Sequence, residues 1–179
     1  MLDKQFFETL ARNHGFPEFR WISGKDVHVC QWVRFKCMFG CESFGHNACC
    51  PPAVPSVSVC RELFAEYGHI LVLRISQKLA EPNDRKALSR KKNLELLALE
   101  REAFLAGYHK AMLLFMDECR LCDECTGTRA DCRKPSMARP CPEALAVDVF
   151  STVRSAGFPL EVLAGYSQEM NRYAFLLVG

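Results

Sequence analysis

Cys119, Cys122 and Cys125 form a C-x2-C-x2-C run, followed by Cys132 with Pro135 three residues further on. Three thiolates at this spacing on a tight loop can each reach a different iron of one cubane, while backbone N–H groups face its sulfides. Ferredoxin-type runs open in this way and take their fourth cysteine near a proline. The fourth ligand is then Cys132 or Cys141, the latter directly before Pro142. Zinc competes, but structural zinc sites favour two separated C-x2-C pairs, and the middle thiol of a triple run is awkward for a single ion. A thioredoxin-like C-x-x-C pair would leave Cys125 and Cys132 without roles. The spacing therefore predicts a 4Fe-4S cluster, with Zn as the alternative. Arg120, Arg129, Arg133, Lys134 and Arg139 crowd the same segment. Cations there would favour a reduced cluster and receive an acidic partner; plain loop solubility is the competing reading.

A second set lies upstream: Cys37-x3-Cys41, then Cys49-Cys50-Pro51-Pro52, then Cys60. Glycines between them let the backbone fold close to a metal, and the proline pair ends the loop stiffly. Cys37, Cys41 and one of Cys49 or Cys50 supply three thiolates. Cys60 is the natural fourth candidate, with His46 and Cys30 behind it. The C-x3-C opening lacks the third cysteine two residues later that S-adenosylmethionine radical enzymes need, and the chain is short for their barrel. Were only three thiols to bind, one iron would stay open to substrate, which is the one route to an enzyme here. No Ser-His-Asp set, phosphate loop or dinucleotide fingerprint supports other catalysis.

Eleven cysteines in 179 residues is the outstanding feature of the composition. An odd count and an N-terminus without a secretory pattern argue against a disulfide framework and for a reducing, cytoplasmic setting. The net charge of +2 gives no reason to expect nucleic acid or an anionic membrane as partner. No apolar run approaches the roughly 20 residues that span a bilayer. Cys30, in an apolar alternating stretch, reads as an ordinary core thiol.

The elements that must position these cysteines follow from periodicity. Leu2, Phe6, Phe7 and Leu10 mark one face of a short amphipathic helix. Val27 to Phe35 alternates and predicts a strand leading into Cys37. Between the cysteine groups lies what reads as a conventional β-α-β unit. It consists of a buried strand at His69–Ile75, a helix at Asp84–Gly107 capped by Asn83 or Asp84, and a second strand at Ala111–Met116. Leu94, Leu97, Ala98 and Leu105 are expected to share the helix's buried face. The basic stretch Arg85, Lys86, Arg90, Lys91 and Lys92, mixed with later glutamates, reads as its solvated face. Pro142 starts a helix running to about Ser155, Pro fitting the first turn. Tyr173–Val178 closes the chain as a strand. The expected fold is α/β or α+β: a sheet of about four strands with helices packed on one face. A single domain spanning 1–179, with metal-binding loops at 37–60 and 119–141, is expected.

Taken together, VRFKCMFGCESFGHNACCPP (33–52), CRLCDEC (119–125), CRKP (132–135) and EALAVDVFSTVRSAGFPLEV (143–162), with the terminal YAFLLVG, resemble a family of cysteine-rich microbial proteins known as predicted metal-binding proteins. The resemblance spans most of the chain. It implies Cys37, Cys41 and Cys50, then Cys119, Cys122, Cys125 and Cys132, as ligands. The chain departs from the family pattern where Cys141-Pro142 follows Arg139-Pro140, so the resemblance reads Cys141 as standing in place of a serine. Cys49, Cys60 and Cys141 remain additional candidates. The resulting expectation is an iron–sulfur protein, with one cluster on the second group and another on the first, serving a redox partner protein as electron carrier or accessory. The alternatives are a zinc-stapled interaction module and an enzyme working at an open iron.

Overall fold

The two longest apolar strands pair with each other along their whole length. In the computed structural model, which describes residues 2–78, 84–165 and 168–179, β2 (Ile70–Gln77) runs antiparallel to β4 (Met170–Leu177). Their register runs from Ile70 opposite Leu177 to Gln77 opposite Met170. A short β1 (Phe19–Ile22) flanks β2, and β3 (Met112–Leu114) flanks β4, giving the order β1-β2-β4-β3 with every neighbouring pair antiparallel. The architecture is α+β.

Alternation sends side chains to two separate cores. Leu71, Leu73, Ile75, Leu113, Ala174 and Leu176 meet α1 (Lys4–Asn13) and α4 (Asp84–Leu105) through Phe7, Leu10, Leu96, Leu99 and Ala103. Ile70, Val72, Leu114, Tyr173, Phe175 and Leu177 meet α3 (Val57–Ala65) and α5 (Val149–Ser155) through Cys60, Phe64, Val149 and Val153. Helices thus cover both faces of the sheet, where one was expected. The double burial is why these strands read as unbroken apolar runs.

The expected N-terminal helix is present as α1, with Asp3 accepting the Phe6 N–H at 3.0 Å as its cap. The long helix also falls where periodicity puts it, and Gly107 turns the chain away with φ of +97°. Asn83, one proposed cap, lies outside the described residues; Asp84 is the first helical residue.

Other expectations are corrected. β2 and β3 are not adjacent: β4 separates them, so the unit between the cysteine groups is a split β-α-β. Val27–Phe35 is not a strand. Val29 makes one isolated bridge to Val147, Cys30 is the extended N-cap, and the chain then enters α2 (Gln31–Gly40). Along α2 only Val33 is buried, while Trp32, Phe35, Met38 and Phe39 are exposed. The buried face of α4 is Ser89, Asn93, Leu96, Leu99, Glu100 and Ala103, whereas Leu94 and Leu105 are exposed. The helix after Pro142 is interrupted: a 3-10 turn at Glu143–Leu145 ends on Ala146, at φ 63°, before α5 begins.

Candidate metal centre

Asp117 ties down the chain as it leaves β3. Its carboxylate accepts from Arg172 of β4 at 2.7 Å and from Arg85 of α4 at 3.1 Å. The Ser89 hydroxyl donates to it at 3.3 Å. Burial works against the charged form, but the Glu118 hydrogen bond and the two guanidiniums hold the Asp117 carboxyl down at about 2. The adjacent Glu118 is pushed up to about 7 by burial and by Asp117. Two residues beyond Asp117 the cysteine run begins.

The first cysteine segment starts at the end of α2. Cys41 is the helix C-cap, its N–H donating to the Cys37 carbonyl at 3.2 Å. The loop then closes on itself: Gly45, at φ of +74°, donates to the Pro51 carbonyl at 2.9 Å, and Cys50 donates to Asn47 at 3.0 Å. Glycine suits that left-handed turn because it has no Cβ to clash.

The two segments meet through Asn47 and Ala48. Asn47 Nδ2 donates to the Cys119 carbonyl at 2.9 Å, and Ala48 N–H donates to Cys125 Sγ at 3.3 Å. The vicinal pair divides here. Cys49 hydrogen-bonds to the Cys119 thiol and lines a small crevice, of about 20 Å3, with Cys119, Cys122, Cys125 and Cys132. Cys50 instead lines a cavity of about 1250 Å3 with Cys37, Cys41 and Cys141. Cys119, Cys122 and Cys125 border both spaces.

Burial pushes the Cys37 and Cys141 thiols up, and Cys50 up to about 12. Lone thiolates are unfavourable in such surroundings, so a cation is what would ionise them. Cys119 differs: the hydrogen bond from Cys49 holds it down to about 6 despite burial. Among the described residues, no group of three or more His, Cys, Asp and Glu side chains is drawn together around a single metal point. The thiols instead surround spaces that also hold buried polar atoms without partners. Thr126 Oγ1 borders the crevice and Arg120 Nε the cavity, and neither has a hydrogen-bond partner among the described residues. Thiol ligands with orphaned donors beside them fit a thiophilic metal or a sulfide-containing group.

Every ligand expected from sequence, Cys37, Cys41, Cys50, Cys119, Cys122, Cys125 and Cys132, borders one of these spaces. His46 borders the cavity at its exposed rim. Cys60 does not: it is 1% exposed in the core between α3 and the sheet, its thiol facing the Pro55 carbonyl. Cys30 caps α2. The basic stretch of α4 is not merely a solvated face, because Arg85, Lys86, Arg90 and Lys91 wall the cavity and Arg90 pairs with Asp123 at 2.8 Å. Most of the crowded cations of the second segment hold its backbone. Arg129 donates to the Pro135 carbonyl at 2.9 Å and Lys134 to the Leu121 carbonyl at 3.0 Å. Sequence reasoning missed Asn47, Asp117, Glu118, Thr126 and Glu143; the acidic pair directly before Cys119 was the one available signal.

Fold and site together define a cysteine-rich α+β protein whose thiols, drawn from two distant segments, gather beyond the C-terminal end of β3. The chain belongs to the family described as Predicted metal-binding protein (DUF2284), whose model matches residues 20–178. No curated protein and no solved structure matches the chain. No helix among the described residues is long and apolar enough to cross a membrane.

Proposed function

We propose that this protein is a cytoplasmic iron–sulfur electron carrier, or the redox accessory of a larger enzyme. Cys119, Cys122, Cys125 and Cys132 hold one 4Fe-4S cluster, and Cys37, Cys41 and Cys50 belong to a second. The observation that carries this reading is the convergence of two cysteine groups, far apart in sequence, on adjoining spaces bordered in common by Cys119, Cys122 and Cys125. Bound clusters would supply one-electron chemistry at potentials set by hydrogen bonds to sulfur and by solvent exposure.

The chain's own residues set those terms. Ala48 N–H donates to the Cys125 sulfur, and the buried Thr126 hydroxyl, which lines the crevice, has no hydrogen-bond partner among the described residues. Cys41 and Cys125 are exposed, which supports electron exchange with a partner protein at this edge. A cubane is wider than the crevice at Cys132. Admitting one requires the 126–132 loop, largely exposed and without helix or strand, to move outward.

That tight crevice favours one second reading. Its volume suits a single ion, and zinc there would make the chain a structural or interaction module.

Separate Cys122→Ser and Cys37→Ser variants, purified without oxygen, test the proposal. Each is expected to lose about half the iron and visible absorbance of the parent, as two independent cubanes require. Unchanged iron in Cys122→Ser would sink the assignment of the second segment.

A further inference from the structure

We propose that Cys141 is the fourth thiolate of the centre built on Cys37, Cys41 and Cys50, so that this centre is closed by protein ligands. The inference rests on the metal-binding reading above and completes it. Three cysteines from the first segment leave a coordination position to fill, and the candidates sort by where the fold puts them. Cys60 is sealed in the α3 core, Cys30 stands at the opposite end of α2 from Cys41 and does not border the cavity, and Cys49 is turned to the other segment. Cys141 borders the same cavity as Cys37, Cys41 and Cys50.

The placement of Cys141 is built in. Buried Glu100 accepts the Leu113 N–H of β3 at 2.8 Å and takes the Arg139 guanidinium, with the Arg139 Nη2 at 2.9 Å. One residue on, the Pro140 carbonyl accepts Phe115 N–H at 2.9 Å. The segment is thereby clamped along β3 immediately before Cys141. On the far side, Arg34 of α2 donates to the Ala144 carbonyl at 3.1 Å, tying the turn after Cys141 to the helix that carries Cys37. A residue held from both sides, at the wall of a thiol-lined cavity, supplies a fixed ligand.

The consequence is specific. With four thiolates, the first centre offers no open iron, and the enzymatic alternative loses its site.

The test compares Cys141→Ala with Cys60→Ala, a control at another buried thiol away from the cavity. Iron and sulfide per folded chain and low-temperature electron paramagnetic resonance of the reduced protein are read for each. Cys141→Ala is expected to lose the signal of one centre, its iron falling from about eight towards about four per chain, while Cys60→Ala keeps the parent signals. Parent-like iron and spectra in Cys141→Ala would overturn the assignment. Should that variant fail to fold, cyanide added to the unaltered holoprotein decides the matter. An unchanged spectrum supports four thiolates, and a shift confined to one cluster overturns them. A parent protein without iron would instead end the underlying reading, which keeps the two failures apart.

Discussion

The side chain of Asn47 joins the two cysteine segments across 72 residues, its Nδ2 donating to the Cys119 carbonyl at 2.9 Å. Its Oδ1 accepts the Cys49 N–H at the same distance, so one buried amide fixes the entry to both groups. A leucine at this position keeps approximate size and removes both bonds, leaving a buried donor and a part-buried acceptor without partners.

Asn47→Leu is therefore expected to lose roughly 2–4 kcal/mol, given about 1–3 kcal/mol for each buried group left unsatisfied. Urea unfolding of the metal-free protein reads that loss, and faster metal transfer to a chelator should accompany it. Stability within about 0.5 kcal/mol of the parent, the range of an ordinary surface substitution, would show that Asn47 is not the clamp.

Arg139 and Glu100 form the second structural joint. The Glu100 side chain is 9% exposed and that of Arg139 is 24% exposed. Removing the cation strands a largely buried carboxylate, which costs about 3–5 kcal/mol when burial is complete. Arg139→Met is expected to cost roughly 2–3 kcal/mol, since some solvent reaches the pair. Thermal unfolding checks this. The double variant Arg139→Met with Glu100→Gln should recover part of the loss, and a strictly additive result would contradict the coupling.

Ala146 sits in the left-handed region at φ 63°, where a Cβ is strained by roughly 1–2 kcal/mol. Glycine removes that strain but adds freedom to the unfolded chain. Ala146→Gly is expected to stabilise the protein by about 0.5–1 kcal/mol, read as a higher urea midpoint with an unchanged slope. A lower midpoint would mean that the methyl group's packing outweighs its strain.

These joints show where sequence stops being informative. β2, β4 and α4 were legible because long apolar or periodic segments leave little choice of element. The conformation of α2 was not: its apolar residues at 32, 35, 38 and 39 face outward, so a count of apolar spacing recorded a pattern that no core enforces. β1 is four half-buried or exposed residues at a sheet edge, with Arg20 among them, and carries no run to detect. The α4 face was misjudged because Ser89 and Glu100 are buried through distant partners, Arg172 and Arg139, that no local window contains. The same limit applies at the site. Spacing grouped the cysteines, but the division of Cys49 from Cys50 between two spaces, and the place of Cys141 at the cavity that Cys37, Cys41 and Cys50 line, depend on the path of the chain between β3 and α5.

The most direct test of the account is the content of iron, zinc and acid-labile sulfide, with a visible spectrum, on protein purified without oxygen. The account predicts a brown protein with a broad band near ~400 nm, about eight irons and about eight sulfides per chain, as two cubanes require. A colourless protein retaining about two zinc ions and no sulfide would contradict it and make the chain a zinc-stapled module.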